Sequence, residues 1–268
     1  MSQQSNWVPT SVDLEKPSAA RVYDYVLGGN HNFAIDRELG EKLLEMQPGV
    51  RRFAIANRSF MRRAVVFMLE QGIRQFLDLG SGIPTVGNVH EIAQEVDANA
   101  RVVYVDNEHV AVAHSQLMLE NNDNAAMVHA DVTMPTAVLG HEDTRRLLDF
   151  TKPIGMLAIT IGHYMLPEQR PDAVFGAYRD ALAPGSYLAM THVTYDFDSL
   201  GSDTVDEVVT KSQNNIRPRS RDEILGFAGD FELVEPGMAT PTTWRPEDET
   251  DSDVAEPDVQ YALVARKA

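Results

Sequence analysis

The chain has 268 residues, of which 43% are hydrophobic and none is cysteine. This composition is typical of a globular protein with a sizeable core, and the missing thiols exclude disulfides and thiolate metal sites. The formal net charge of −17 would repel nucleic acid phosphates and anionic membranes, and no apolar run is long enough to span a bilayer. We therefore expect a cytoplasmic protein that binds neither nucleic acid nor membrane. Composition does not fix its oligomeric state.

The first 72 residues predict a helical extension. Residues 17–29 indicate a helix that ends at a glycine pair, and a second helix is predicted from Asp36 to about Gln47. A third and longer helix precedes Gly72. Its apolar side chains recur at helical spacing, at Phe53, Ala56, Phe60, Ala64, Phe67 and Met68.

From Ile73 onward, apolar runs alternate with helical patterns. Such alternation predicts parallel strands joined by right-handed crossovers. Strands are predicted at residues 74–80, 101–107, 125–132, 154–160 and 185–193. Helices are predicted at residues 86–96, 109–121, 135–148, 171–182, 203–212 and 220–228.

The pattern changes near the end of the sequence. Residues 231–236 and 259–267 are predicted strands with no helical pattern between them, and the acid-rich segment 246–258 is interpreted as a solvated loop. Because a parallel return needs a crossover helix, the two strands are expected to be antiparallel. The sequence thus predicts an α/β fold, a doubly wound seven-stranded sheet with an antiparallel last strand. Its domain would span residues 73–268, after a helical extension at residues 1–72.

The stretch "LDLGSGIPT" after the first predicted strand indicates a ligand-binding corner. A phosphate-binding loop of the Walker type needs a lysine followed by serine or threonine, and neither follows Gly82. A dinucleotide fingerprint fits Gly80 and Gly82, but Thr85 stands where it needs glycine or alanine, and Pro84 lacks an amide for a pyrophosphate. The corner is therefore a poor match to either phosphate site.

Three acids are predicted at the carboxyl ends of neighbouring strands, where such sheets bind their ligands. Asp78, Asp106 and Asp131 would repel a pyrophosphate but suit a cationic nucleoside without phosphate, such as S-adenosylmethionine. Asp106 suits the ribose hydroxyls, Asp131 the adenine amine and Asp78 the methionine ammonium. Each acid alone could instead cap a helix or hold a turn. The predicted cofactor site also includes Gly80, Ser81, Gly82, Asn107 and Val132.

The sequence resembles a bacterial family of S-adenosylmethionine-dependent methyltransferases that was formerly filed as a domain of unknown function. The resemblance covers most of the chain, through "PSAARVYDYVLGGNHNFAIDR", "NRSFMRRAV", "GIRQFLDLGSGIPTVGNVHEIAQ", "ARVVYVDNEHVAVAH", "LAPGSYLAMTH" and "YALVARK". It implies the Rossmann-like fold of class I methyltransferases and the cofactor S-adenosyl-L-methionine, but no substrate. In "ITIGHYML", Gly162 stands where members more often carry leucine.

Given this resemblance, the first predicted helix gains a role as a lid over the cofactor. Arg21 would pair with the methionine carboxylate, Tyr23 would line the methyl-transfer channel as a catalytic residue, and Tyr25 would contribute to the cofactor site. Asn57 and Arg58 could support the same end. The alternative is a surface helix whose tyrosines only pack.

A general base is needed only if the methyl acceptor carries a proton of high pKa. His163, just past the fourth strand, is the predicted base, whereas His192 is expected to be structural. No metal-binding motif is visible. The predicted acceptor is a small molecule. A non-catalytic regulatory protein that binds S-adenosylmethionine is the alternative, and a nicotinamide-dependent oxidoreductase is disfavoured because the tyrosine of "YRDA" lacks its lysine partner.

Overall fold

The computed structural model describes residues 13–46, 49–85, 87–197, 216–247 and 259–268, and a seven-stranded sheet lies at its centre. The strands are β1 (Gln75–Leu79), β2 (Arg101–Asp106), β3 (Ala125–His129), β4 (Gly155–Ile159), β5 (Tyr187–Val193), β6 (Glu232–Leu233) and β7 (Gln260–Arg266). Their order is β3-β2-β1-β4-β5-β7-β6. Strands β1 to β5 pair in parallel, and β7 is antiparallel to both β5 and β6. The predicted sheet with its reversed last strand is confirmed.

Helices surround the sheet. They are α1 (Ala19–Val26), α2 (Ala34–Met46), α3 (Val50–Glu70), α4 (Val89–Val96), α5 (His109–Leu119), α6 (Pro135–Gly140), α7 (Glu142–Leu147), α8 (Pro171–Ala181) and α9 (Arg221–Ala228). Short 3₁₀ turns follow β4 at Gly162–Tyr164 and Pro167–Gln169. The predicted helix at residues 203–212 and most of the acid-rich segment 246–258 lie outside the described residues.

Two apolar cores cover the two faces of the sheet, which is the doubly wound arrangement. Phe76 in β1 packs with α3, α4 and α5, whereas its neighbour Leu77 packs with α6, α7, α8 and α9 on the opposite face. Because both faces are covered, β1 is buried along its whole length, as expected for a central parallel strand. Asp78 is therefore an acid within a buried apolar strand.

Helix α3 presents a buried face that differs by one residue from the predicted one. Ala54 and Asn57 are buried in its first half, while Phe53 and Ala56 are only partly covered. Further along the helix, Phe60 is fully buried as predicted. The difference matters because it brings the polar side chain of Asn57 inward, next to the carboxyl end of the sheet.

The first two helices are joined by a buried ion pair. Arg21 of α1 is 3% exposed, and its Nε donates to Asp36 Oδ2 in α2 over 2.8 Å. The carboxylate of Asp36 also accepts from the backbone N–H groups of Ser18 and Phe33, at 3.0 and 2.9 Å. The helix thus begins at Ala34, two residues before the predicted start, and Asp36 lies in its first turn, where it satisfies amides just before the helix.

Strand β6 is shorter than the predicted strand at residues 231–236. After Leu233, Val234 still donates to Val264 in β7, but Pro236 has no N–H, and Gly237 turns the backbone at a φ of +89°. The chain returns to β7 at Ala239, which bridges to Ala262.

No described helix combines the length and the apolar content of a membrane span.

Candidate functional site

A cavity of about 540 Å³ lies over the carboxyl ends of β1, β2, β3 and β4. The strand ends form its floor, residues 13–24 form its roof, and Asn57, Arg58 and Met61 of α3 contribute a side wall. In doubly wound sheets, ligands bind where two neighbouring strands send their crossovers to opposite faces. Here β1 and β4 are such neighbours, because β2 lies on one side of β1 and β4 on the other.

The glycine corner after β1 needs its glycines. Gly80 and Gly82 have φ values of +72° and +67°, which side chains other than glycine rarely adopt. A Cβ atom on Gly80 would also lie 2.5 Å from the Ile161 side chain. The hydroxyl oxygen of Ser81 is buried beside the cavity and has no hydrogen-bond partner among the described residues. A buried hydroxyl without a partner fits a polar ligand at this corner.

Asp106 joins the corner to the end of β2. It is 8% exposed, and its two carboxylate oxygens accept from the N–H of Gly82 at 2.7 Å and of Glu108 at 2.8 Å. Burial raises the pKa of Asp106, while these backbone donors lower it. An ionised carboxylate has about four acceptor positions, so it can also accept from hydroxyl groups in the cavity. The side chain thus both shapes the corner and suits a ribose diol.

Asp78 lies one layer deeper, at the end of β1, and is 6% exposed. Burial raises its pKa to about 7, the charge of Arg58 lowers it, and the charge of Asp106 raises it. Arg58 also donates to the Gly87 carbonyl at 3.1 Å, which holds its guanidinium against the corner. The site therefore contains a carboxyl that changes its charge near neutral pH, beside a cation.

The pKa of Asp78 predicts a pH-dependent affinity. A ligand ammonium should bind the ionised carboxylate, and an α-ammonium keeps its own charge up to a pH of about 8. We expect the affinity for S-adenosylhomocysteine to increase about fivefold to tenfold between pH 6 and pH 7.5, as Asp78 loses its proton. Calorimetric titration across this range measures the slope. Asp78→Asn should abolish it, and an unchanged slope in that variant would contradict the assignment.

Asp131 lies at the end of β3, exposed at the rim of the cavity. Its Oδ1 accepts from the N–H and the hydroxyl of Thr133, both at 2.8 Å, so it holds the turn after the strand. The next residue, Val132, is 7% exposed and lines the cavity, and Asn107 lines it beside Asp106. Asp131 therefore holds a turn, which is the alternative role considered for it, and it also lines the cavity.

Arg21 lines the cavity but is already paired. Besides Asp36, its guanidinium donates to Glu108 Oε1 at 3.0 Å and to the Lys16 carbonyl at 2.6 Å. Glu108 in turn caps α5 through the N–H of Ala111. Arg21 therefore ties the roof to the end of β2.

The structure places Tyr25 outside the cavity lining. Its ring lies against Gly40 of α2, and its hydroxyl is 3.3 Å from the exposed carboxylate of Glu41. The helical pattern in the sequence did not show which side chains of α1 pack against α2, so Tyr25 could not be assigned to that face. Tyr23, two residues earlier, is the tyrosine of this helix that lines the cavity.

His163 is also outside the cavity lining. It is 2% exposed, and its ring lies edge-on to His192 with centroids 5.5 Å apart. Burial, with the charges of His192 and Arg219, holds the pKa of His163 well below its usual range. The 3₁₀ turn after β4 rotates the chain so that Tyr164, one residue later, lines the cavity instead. Burial raises the pKa of Tyr164 to about 12.

His192 has the structural role that was expected of it. It is fully buried, its Nδ1 lies 2.7 Å from the Val193 carbonyl, and its Nε2 lies 2.9 Å from Arg219 Nη1. Because arginine can only donate, Nε2 accepts and Nδ1 carries the proton, so the ring is neutral. Burial lowers its pKa to about 4.

Sequence reasoning missed the part of the site at the end of β4. Thr160 lines the cavity with a φ of +53°, a left-handed conformation that costs a β-branched residue about 1–2 kcal/mol. Its N–H donates to Thr191 Oγ1 at 3.0 Å, and Thr191 donates to Asn57 Oδ1 at 2.7 Å. A left-handed backbone is usually predicted from a glycine in the sequence. Because this position is a threonine, there was no reason in the sequence to predict it.

A reversed β7, a glycine corner after β1 and acids at three successive strand ends define a methyltransferase of class I, built to hold a cationic nucleoside. The comparisons agree. The sequence model of the S-adenosyl methyltransferase family matches residues 5–268, and the chain belongs to that family. It is an S-adenosylmethionine-dependent methyltransferase, and S-adenosyl-L-methionine is its cofactor.

Solved structures show the same similarity. A Thermobifida fusca protein predicted to be a methyltransferase is 42% identical over 98% of this chain and 99% of its own, with a TM-score of 0.90. A protein of the DUF574 family from Streptomyces avermitilis is 36% identical over 96% and 99% of the two chains, with a TM-score of 0.91.

A more distant structure shares the fold alone. It is a 1,6-didemethyltoxoflavin-N1-methyltransferase from Burkholderia thailandensis, solved with bound 1,6-didemethyltoxoflavin and S-adenosylhomocysteine. It is 16% identical over 97% of this chain and 94% of its own, with a TM-score of 0.50. None of the curated proteins matches the chain significantly.

Proposed function

We propose that the protein methylates a small molecule and that the cavity over β1 to β4 holds both this acceptor and the cofactor. The observation that carries the proposal is the cavity itself. Its volume of about 540 Å³ falls within the range of small-molecule sites, roughly 300–1,000 Å³. The formal charge of −17 supports an acceptor that is not a nucleic acid. A cytoplasmic location stays a prediction from the sequence.

The sheet order suggests how the residues would share the cofactor. From β3 to β1, Asp131 would bind the adenine amine, Asp106 the ribose hydroxyls and Asp78 the methionine ammonium. Gly80 and Gly82 would allow the backbone to approach the methionine part, and the buried Ser81 hydroxyl would gain a partner there. The transferred methyl group would then face the end of β4, the next strand in the sheet.

Arg58 is the better partner for the methionine carboxylate. Arg21 is the predicted partner, but it is held by Asp36 and Glu108 at the β2 side of the cavity. Arg58 lies in the lining next to Asp78, close enough for its charge to lower the pKa of that carboxyl. We assign Arg21 to fixing the roof, and Arg58 to binding the carboxylate.

The bound cofactor supplies an electrophilic methyl group on a positively charged sulfur. The protein must position the acceptor in line with this group and exclude water. At the β4 end, the titratable side chains of the described lining are Tyr23 and Tyr164, and burial raises the pKa of both. They are neutral at pH 7 and can orient an acceptor by hydrogen bonds. This favours an acceptor whose nucleophile needs no strong base, such as an amine or an acidic hydroxyl.

Transfer of a labelled methyl group tests the proposal. The protein would be incubated with methyl-labelled S-adenosylmethionine and a bacterial metabolite extract, and the label would be followed in the small-molecule and macromolecular fractions. We expect label in a small molecule other than S-adenosylmethionine with the wild type, and no such labelled product with Asp106→Ala. Label in protein or nucleic acid would contradict a small-molecule acceptor. Tight binding of S-adenosylhomocysteine without any transfer would favour the non-catalytic regulatory alternative.

A further inference from the structure

A single hydrogen-bond network connects four elements at the β4 end of the cavity. It runs from the N–H of Thr160 to Thr191 Oγ1, from Thr191 to Asn57 Oδ1, and from Asn57 Nδ2 to the hydroxyl of Tyr23 at 3.1 Å. Tyr23 donates its own proton to the Ala54 carbonyl at 3.1 Å. Asn57 and Thr191 are 1% and 0% exposed, so their partners in the network are fixed by burial.

The hydrogen bonds of this network have the following directions. Thr191 accepts from the Thr160 amide and donates its hydroxyl proton to Asn57 Oδ1, so the Asn57 amide has its NH₂ group on the side of Tyr23 and Thr160. That group donates to Tyr23 and approaches Thr160 Oγ1 at 3.5 Å, while Thr160 donates its hydroxyl proton to the Ile159 carbonyl at 2.8 Å.

Both cavity hydroxyls are therefore left as acceptors only. The protons of Tyr23 and Thr160 go to backbone carbonyls, so any hydrogen bond or ion contact that these lining hydroxyls make with a ligand is through an oxygen lone pair. Oxygen lone pairs attract a cation and gain little from a neutral thioether. The left-handed backbone of Thr160 is maintained by the same network, and strain of this kind persists where the surroundings fix it for a function.

We propose that Asn57 is a positioning residue that holds the Tyr23 and Thr160 hydroxyls as an acceptor pair, and that this pair makes the site bind the sulfonium of S-adenosylmethionine in preference to the thioether of S-adenosylhomocysteine. The inference depends on the proposed placement of the cofactor along the strand ends. Methyl transfer removes the positive charge from the sulfur. The weaker binding of the resulting thioether would then favour the release of S-adenosylhomocysteine.

The ratio of two dissociation constants tests this inference without any acceptor. Calorimetry would measure the binding of S-adenosylmethionine and of S-adenosylhomocysteine to the wild type, Tyr23→Phe and Asn57→Ala. We expect the ratio of the two dissociation constants (that of S-adenosylhomocysteine over that of S-adenosylmethionine) to decrease about threefold to tenfold in each variant. A change of this size corresponds to the loss of about one hydrogen bond. A merely structural role would weaken both ligands equally and leave the ratio unchanged, which would overturn the inference.

The double variant shows whether Asn57 acts through Tyr23. If it does, the ratio of the two dissociation constants in the double variant Tyr23→Phe with Asn57→Ala should be close to the ratio in the more affected single variant. If the two residues acted independently, their effects on this ratio would multiply. Tyr195→Phe is the matched control, since this exposed tyrosine bonds Glu223 away from the cavity lining and should leave the ratio intact. If the Asn57 variant does not fold, Tyr23→Phe alone decides the outcome. A wild type that binds neither ligand would instead refute the proposed cofactor site.

Discussion

Replacing Asp106 with alanine is expected to weaken the binding of S-adenosylhomocysteine by at least about 100-fold. The carboxylate holds the Gly82 and Glu108 amides, and in the proposed function its remaining acceptor positions would bind the ribose hydroxyls. Removing it takes away the ligand contact and also releases the glycine corner. Calorimetric titration of the wild type and the variant measures the loss.

Asp172→Ala is the matched control for this prediction. Asp172 is an exposed acid on α8, outside the cavity lining, with a partly formed ion pair to Arg170 at 3.5 Å. Its removal changes the net charge by the same amount and should leave affinity unchanged. Thermal unfolding without ligand separates a lost contact from a lost fold. Affinity retained in folded Asp106→Ala would refute the assignment of the ribose site.

Acid should destabilise the protein through its buried histidines. The pKa of His192 is about 4 in the folded protein, against about 6.5 when unfolded. Between these values the unfolded chain binds the proton more readily, so the free energy of unfolding decreases as the pH decreases from 6.5 to 4. The contribution of His192 is fully present above pH 6.5 and amounts to about 3 kcal/mol. Buried His163, with its lowered pKa, adds to the same trend.

Urea unfolding at pH 7 and at pH 4.5 measures this loss. His192→Gln, whose side-chain oxygen can still accept from Arg219, should be less stable at pH 7 but lose about 2–3 kcal/mol less than the wild type on acidification. His129→Gln, at an exposed histidine at the end of β3, should lose as much as the wild type. Equal pH dependence in His192→Gln and the wild type would contradict the prediction.

The sheet could be predicted because its signals are local. Runs such as residues 101–107 are apolar on both faces, which is typical of central parallel strands, and the missing helical pattern before residues 259–267 required an antiparallel partner. The three acids were found for the same reason, since the ends of parallel strands meet at one edge whatever the helices do. All three line the cavity.

The rotation of individual side chains could not be predicted from spacing. A helix of eight residues such as α1 has no pattern strong enough to show that Tyr23, and not Tyr25, turns toward the sheet. The chain forms a 3₁₀ turn after β4, and this turn places Tyr164 in the cavity lining and His163 outside it. The pairing of Arg21 with Asp36 and Glu108 depends on contacts across 15 and 87 residues, which no local pattern contains.

The interior position of β7 has a consequence for biosynthesis. This strand pairs with β5 on one side and β6 on the other, although every other strand of the sheet precedes it in the sequence. While the chain is still being made, the outer edge of β5 stays open, and an unpaired apolar edge is prone to join another chain. Thr191, which bonds Thr160 and Asn57 at the β4 end of the cavity, lies in β5. A ribosome-bound chain that lacks β7 should therefore need chaperone protection, and it should acquire its affinity for the cofactor only after β7 has been synthesised.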